Sequence, residues 1–484
     1  MENKTIWLEN LKKIENKKDF NGGKTDILII GGGIAGLSCA YYLKDLGKKV
    51  TLIEKDKIGH GVTARSTAKI TFLQQLNYQK ISSIHDFKTA KLYYESQKEA
   101  IKLFDEVINK ENVDCDYNKV TSSVFTNNIN NLPKFKKEQE FLKKVNQPFN
   151  VIKRVPYFEM KYGIEVDDTA VFHPLKFLYG INEKIKEKVS VYENVRALEI
   201  TNEKGFFNID TDKGNINARI VIVCTHYPFF IIPGLIPIKS HIERDYVAVS
   251  KVHEPKNLST ITYEDKPLHS LRYYSNENNH YAIYASASHL STINIDYNKK
   301  YKLLKNNFKK YIKEEPIYEW VNHDVITNDY LPIIGEVSKN LYIATGFNTW
   351  GMTNGWLGGK IISDNIKGIE NKYIKLVSPK RKITLKRTMN FIKDIALYIK
   401  IIVQTTLVKN HKFYKNVYIE YENGIPYGIY LDENNKKHKC KNKCPHMKCN
   451  LIFNQKEKTW DCPCHGSRFD VDGNLIMGPS KKNI

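Results

Sequence analysis

The chain has 484 residues, enough for two or three domains with cores of their own. Lysine and arginine outnumber aspartate and glutamate by 75 to 53, for a formal charge of +22, but the excess is spread through a Lys-, Asn- and Ile-rich sequence with no nucleic-acid motif, which argues against a polyanion partner. Only 41% of residues are apolar, no window of about eighteen uninterrupted apolar residues occurs, and the N-terminus lacks an apolar h-region, so the sequence predicts no transmembrane segment, no Sec export and a cytoplasmic location.

The first recognisable element is an apolar run, Asp26-Ile27-Leu28-Ile29-Ile30, followed at once by Gly31-Gly32-Gly33-Ile34-Ala35-Gly36 and a helical stretch through Leu46. Strand, glycine turn and helix in that order fit a dinucleotide fingerprint: Gly31 for the turn, Gly33 to admit a pyrophosphate, Gly36 for close packing of helix on strand. The pyrophosphate would sit on the helix N-terminus, where free N–H groups and the dipole favour negative charge. A second run, Val50-Thr51-Leu52-Ile53, ends in Glu54, at the distance expected for a ribose hydroxyl partner.

Residues 59–71 contain Arg65, Thr67 and Lys69 and resemble the second motif of the D-amino-acid-oxidase-like flavoproteins. That resemblance implies FAD, with this stretch along the ribityl chain and flavin ring. Residues 341–353 read as strand, glycine turn and new helix and look like the late motif of the same family, which implies that Thr345, Gly346, Gly351 and Thr353 approach the flavin. Alternating apolar runs between the motifs, among them residues 218–223, 246–249 and 281–284, predict strands. By resemblance, residues 151–235 return to the FAD domain, with Val195 beside adenine, and residues 236–321 build a mostly antiparallel substrate domain. A departure stands at residues 285–289, Ala-Ser-Ala-Ser-His, where the family has a glycine- and acid-bearing stretch.

Residues 376–412 carry nine lysines and arginines against one acid, Asp394. Apolar residues at Met389, Ile392, Ala396, Ile399 and Val403 suit an amphipathic helix that packs on the flavin domain or touches a membrane surface or partner. Lys400 interrupts it, and it is too short and charged to span a bilayer.

Five of the eight cysteines crowd into residues 440–464. Cys444-Pro-His446, fifteen further residues, and Cys462-Pro-Cys464-His465-Gly466-Ser467 resemble a Rieske iron–sulfur site, which implies a 2Fe-2S cluster with Cys444 and Cys462 on one iron and His446 and His465 on the other. Structural zinc also takes Cys and His at such spacings, with His438 and Cys440 as further ligands, but it does not account for the Cys-Pro-Cys-His-Gly-Ser string. In Rieske proteins of the cytochrome bc type, cysteines at the places of Cys449 and Cys464 form a disulfide, so the resemblance implies that bond here. Gly478-Pro479 resembles the proline loop that covers the cluster, and Ser467 matches a serine donor to it. Phe469 replaces the tyrosine of high-potential members, so the resemblance implies an intermediate potential.

The whole chain thus resembles a D-amino-acid-oxidase-like FAD oxidoreductase fused to a Rieske domain. The expected class is α/β: a Rossmann-like FAD-binding domain with a mixed or antiparallel substrate domain over residues 1–378, a basic linker helix over 379–412, and a small all-β domain over 413–484. Flavin accepts two electrons together as hydride whereas the cluster takes one. The expected activity is oxidation of a small organic substrate, an amine or amino acid, with single electrons leaving through the cluster to an external one-electron partner. Reduction in the opposite sense, or a redox-sensing or carrier role without a small-molecule substrate, uses the same parts. Arg272 is the candidate for a substrate carboxylate, because guanidinium offers a bidentate fork. His226, His289 and Tyr274 are further candidates for the substrate pocket.

Overall fold

Four consecutive apolar residues, Ile27 to Ile30, cannot alternate between core and solvent, so the strand that holds them has to be covered on both faces. The computed structural model describes residues 5–9, 11, 19–155, 158–203, 205–229, 239–253, 259–265, 268–276, 279–290, 296–381, 414–446, 448–464 and 466–484. In it Gly23–Ile30 lies inside an eight-stranded sheet, parallel to Val50–Ile53 on one side and Ile216–Val223 on the other. Val189–Tyr192 extends the parallel ladder at one end, and Leu341–Thr345 with the antiparallel Ile333–Ser338 extends it at the other. The helices Ile34–Leu43, Phe87–Glu111, Pro174–Ile185 and Gly351–Lys367 share one continuous apolar core with this sheet.

Ile34–Leu43 and Gly351–Lys367 meet through small residues. A Cβ on Gly359 would stand 2.3 Å from the Ser38 hydroxyl oxygen, so only glycine permits this approach. Phe87–Glu111 starts at Asp86, whose carboxylate accepts from the Thr89 N–H at 2.7 Å, and stops at Asn112 with φ +51. Its buried face repeats at Ala90, Tyr93, Gln97, Ala100, Phe104 and Val107, a helical period.

The second sheet has nine strands. Tyr318–Thr327, Ser240–Val252, Asn279–Leu290, His269–Asn276 and Thr260–Tyr263 run antiparallel in that spatial order, and Asn118–Thr126, Tyr162–Val171 and Lys69–Ile70 continue it. Lys69–Ile70 therefore ties residues 59–71 to the edge of this sheet. Residues 414–484 form two small antiparallel sheets, Val417–Glu422, Ile425–Leu431 and Lys437–Lys441 in one, and Ile452–Asn454, Thr459–Asp461, Arg468–Phe469 and Leu475–Met477 in the other. Trp460, Phe453, Leu451 and Phe469 fill the core between them.

The chain leaves the first region at Arg381, whose guanidinium grips both carboxylate oxygens of Asp329 at 2.7 and 2.8 Å. The amphipathic helix expected over residues 379–412 lies, from residue 382 on, outside the described residues. Among the described residues no helix is long and apolar enough to cross a membrane.

His173 caps Pro174–Ile185, its Nδ1 accepting from the Lys176 N–H at 3.2 Å, and its ring packs between Trp7 and Tyr274. Burial lowers its pKa from 6.5 to about 3. The unfolded chain therefore takes up this proton first, so the stability is present above pH 6.5 and lost as pH falls from 6.5 toward about 3. One such group contributes a slope of ~1.4 kcal/mol per pH unit. His173→Asn keeps a capping acceptor without a titrating group, and urea unfolding at a series of pH values between 6.5 and 4 should give a shallower acid loss than the native chain.

Candidate functional site: a dinucleotide cavity beside a Cys/His loop pair

Gly31 turns the chain after its strand at φ +110, and Gly36 packs so closely that a Cβ on it would lie 1.8 Å from the Gly31 carbonyl oxygen. The N-terminus of the helix Ile34–Leu43 opens into a cavity of about 220 Å³ lined by Gly31, Gly33, Glu54, Val195 and Gly351 among others. Glu54 is held at its mouth by the Gly32 and Asp56 N–H groups, at 2.7 and 3.0 Å, and burial raises its pKa. Val195 is fixed beside it by an N–H donated to the Glu54 carbonyl at 2.8 Å.

Thr345, Gly346 and Thr353 stand behind the cavity wall. The Thr345 hydroxyl donates to the His226 carbonyl, Gly346 turns at φ +68, and the Thr353 hydroxyl accepts from Gln74 Nε2 at 3.1 Å. His226 and Thr349, both on the cavity wall, hold φ of +65 and +69, a conformation costly for non-glycine residues and common at binding sites.

A second cavity adjoins the first and shares Ser66, Asn322, Asp324 and Thr349 with it. Arg65, Thr67 and Lys69 line one flank, Asp245 and Ser270 another. The Lys69 ammonium donates to Ser270, and burial, together with the nearby Arg272 charge, lowers its pKa to about 7. Arg272 departs from the role expected of it. It is fully buried and lines neither cavity; its Nη1 donates to the carbonyls of Thr67, Ala68 and Phe172 and its Nε to that of Tyr273, so it holds the loop before Lys69 against the sheet. His289 bonds Tyr246 at 3.0 Å and Tyr274 bonds Asp116 at 2.8 Å, both outside the cavities.

The sequence reading missed Asp245, Asn322 and Asp324. The strands Ser240–Val252 and Tyr318–Thr327 pair with Glu243 opposite Asp324, Arg244 opposite His323 and Asp245 opposite Asn322. Successive side chains on a strand point to opposite faces. Asp245, Asn322 and Asp324 line the cavities, and Ile242, Arg244 and His323 meet the Cys/His region on the other face. Charged residues spaced two apart in residues 243–245 were the available signal.

On that other face Cys449 and Cys464 form a disulfide that joins the two ligand loops. Cys444 and Cys462 are buried thiols, and His446 is half-buried with its pKa lowered by burial and by Lys481. His465 lies outside the described residues. The sulfurs of Cys449, Cys462 and Cys464 cluster within 4.8 Å, but two of them belong to the disulfide and cannot act as thiolate ligands. His438 faces the carboxylates of Asp472 and Asp432 at 2.7 and 3.5 Å, which places this proposed additional zinc ligand in a separate ion cluster. The Ser467 hydroxyl accepts from the Ser480 N–H at 2.9 Å, an interaction that does not use its own proton.

Two buried carboxylates fasten the Cys/His region to the sheet. Asp461, next to Cys462, accepts from Arg244 at 2.8 Å and from Arg468 at 3.2 Å, and Glu457 pairs with Arg468 and accepts from the Tyr301 hydroxyl at 2.7 Å. Two cations and two anions balance, the condition under which burying charge is tolerated. A methyl group placed on Gly466 would lie 3.2 Å from Ile242 Cδ1 and 4.0 Å from His323 Cδ2. Leu475, Met477, Gly478, Pro479 and Ser480 complete the wall of the first cavity, and Lys55 donates to the Ile476 carbonyl at 3.2 Å.

The model of FAD dependent oxidoreductases, DAO, matches residues 26–365, and that of the Rieske [2Fe-2S] domain matches residues 402–484. A putative Rieske 2Fe-2S iron-sulfur protein of Bacillus subtilis, YhfW, is 30% identical over 475 residues, covering 95% of this chain and 92% of that protein. The gamma-glutamylputrescine oxidoreductase of Escherichia coli is 22% identical over 72% of this chain and 84% of its own length. Among solved structures, glycine oxidase from Geobacillus kaustophilus superposes with a TM-score of 0.62 at 13% identity, over 75% of this chain and 100% of that one. The residues present fit both groups. Glycines at the cavity wall, the open helix N-terminus and Glu54 suit FAD, while buried thiols, a bridged loop pair and a hydroxyl proton suit a 2Fe-2S cluster.

Gly36→Ala pushes a methyl group into the Gly31 carbonyl. The expected result is a protein purified with little flavin; the flavin-to-protein ratio checks it, with iron content showing that residues 414–484 still fold.

Proposed function

Because the chain belongs to the DAO family of FAD dependent oxidoreductases and carries a Rieske [2Fe-2S] domain, we propose that it is a dehydrogenase that oxidises a small amine or amino acid and passes the electrons singly through the cluster to an external acceptor. FAD supplies a hydride acceptor and the cluster a one-electron relay. The observation that carries this reading is the two-faced sheet. Asn322 and Asp324 line the dinucleotide cavity while His323, between them, faces the turn at Gly466. One layer of backbone thus separates the two cofactor regions, so electrons need no second protein to move between them.

Each side chain has a part. Glu54 and the helix N-terminus would anchor the dinucleotide, Leu475, Met477, Gly478, Pro479 and Ser480 form part of the wall of its cavity, and Arg244 with Asp461 holds the Cys/His region on the sheet. The neutral imidazoles of His226, whose pKa burial lowers to about 4, and His323, lowered well below the ordinary value, add no charge to the partition. The similarity to a gamma-glutamylputrescine oxidoreductase supports an amine-bearing substrate.

Anaerobic mixing with amines, amino acids and hydroxy acids tests the reading. The expected outcome is flavin bleaching followed by the electron paramagnetic resonance signal of a reduced cluster. If no such compound bleaches the flavin while a reduced carrier protein does, the dehydrogenase reading is wrong.

Arg244→Met removes a buried cation from Asp461, which keeps Arg468. Breaking a buried pair on one side costs about 3–5 kcal/mol, and the remaining arginine limits that loss here. The expected outcome in stopped flow is unchanged bleaching of the flavin by substrate and slower appearance of the reduced cluster.

A further inference from the structure

The dinucleotide cavity is lined from both ends of the chain: Gly31, Gly33 and Glu54 belong to the N-terminal region, and Leu475, Met477, Gly478, Pro479 and Ser480 to the region of the Cys/His loops. Leu475–Met477 is a strand, and side chains alternate along a strand. Leu475 and Met477 line the cavity, whereas Ile476 between them is turned outward and is 42% exposed. Lys55, which follows Glu54 on the same wall, seats this strand by donating to the Ile476 carbonyl at 3.2 Å. Two apolar side chains on the wall of a site for a large, partly aromatic ligand offer area that binding removes from water.

The same strand is tied to the ligand loops. It pairs antiparallel with Arg468–Phe469, Met477 opposite Arg468 and Leu475 opposite Phe469. Arg468 reaches Asp461, the residue before Cys462, at 3.2 Å, and Phe469 shares a buried apolar cluster with Cys444 and Cys462. Ser480, also on the cavity wall, donates its N–H to the Ser467 hydroxyl at 2.9 Å, and the Ser467 carbonyl accepts from the Cys462 N–H at 2.7 Å. Both serines are buried. Residues that hold the ligand loop in place therefore hold this part of the cavity wall as well.

We propose that the Rieske region is part of the FAD site, with Leu475 and Met477 in contact with the bound dinucleotide, and that FAD and the cluster consequently bind with positive coupling. A cluster orders the loops that carry its ligands, because metal binding and local folding share one free energy. Loops already ordered present the wall that FAD needs, and by linkage FAD favours the arrangement that the cluster needs. The inference concerns cofactor loading and is independent of the substrate and of the direction of electron flow.

The test removes flavin from the full chain and titrates FAD back, following flavin fluorescence, once with the cluster in place and once after a chelator has stripped the iron. FAD is expected to bind the cluster-loaded chain about fivefold more tightly or better, the lower end of ordinary coupling between two sites. In the reverse direction, iron release to the chelator is expected to slow when FAD is bound. Two single substitutions on the strand separate contact with FAD from general support of the fold. Met477→Ala, with its iron content retained, is expected to weaken FAD about fivefold or more through lost apolar contact, whereas Ile476→Ala, on the outward face of the same strand, is expected to keep the native affinity. FAD binding no more tightly with the cluster than without it, or Met477→Ala binding FAD as well as Ile476→Ala does, overturns the proposal. If Met477→Ala fails to fold, the two titrations of the native chain still decide.

Discussion

The alternation of side chains along two paired strands governs this molecule. Because Ser240–Val252 and Tyr318–Thr327 present odd and even positions to opposite sides, one layer of sheet lines the cavities on one face and meets the Cys/His region on the other. Asp245, Asn322 and Asp324 shape the cavities; Ile242, Arg244 and His323 receive the ligand-loop region. A slip of one residue in this pairing would exchange the two sets and place an arginine in the cavity and a carboxyl against Asp461. Register is held by the ladder from Ser240 opposite Thr327 to Val249 opposite Tyr318 and by the aromatic packing of Tyr246 with Tyr301.

Charge burial is the second constraint. Arg244 and Asp461 are each 1% exposed at the side chain, a situation that requires compensation on all sides. Arg468, Glu457, Thr459 and Tyr301 provide it through hydrogen bonds and ion pairs. These groups come from both family regions, so the domain contact depends on geometry as well as apolar area. Gly466 at φ +75 lets the ligand loop turn against Ile242 and His323, where a Cβ would press on the Ile242 terminus at 3.2 Å.

Much of this was legible in the sequence where chemistry is local. Gly31, Gly33 and Gly36 have their meaning within one turn, and their strand and helix stand where the apolar pattern puts them, although the helix ends at Leu43 rather than Leu46 because the chain turns there. Cys444, His446 and Cys462 were singled out by their resemblance to a Rieske site, and the Cys449–Cys464 disulfide by the same resemblance. What depends on tertiary pairing was hidden. Asp245 and Asp324 lie on strands separated by three others in sequence, and nothing local marks them as neighbours. Arg272 looked like a substrate fork because the sequence shows a charge and not the four carbonyls around it. His438 and Cys440 looked like spare metal ligands because spacing does not reveal that His438 faces Asp472 and Asp432.

The proposed function has electrons pass between the two cofactor regions within one chain. Flash photoreduction of the flavin, with the cluster followed by its own absorption and paramagnetic signal over a range of protein concentrations, measures this directly. The account predicts a first-order rise of reduced cluster whose rate constant does not change with concentration. A rate that grows in proportion to protein concentration, the mark of exchange between molecules, would contradict it.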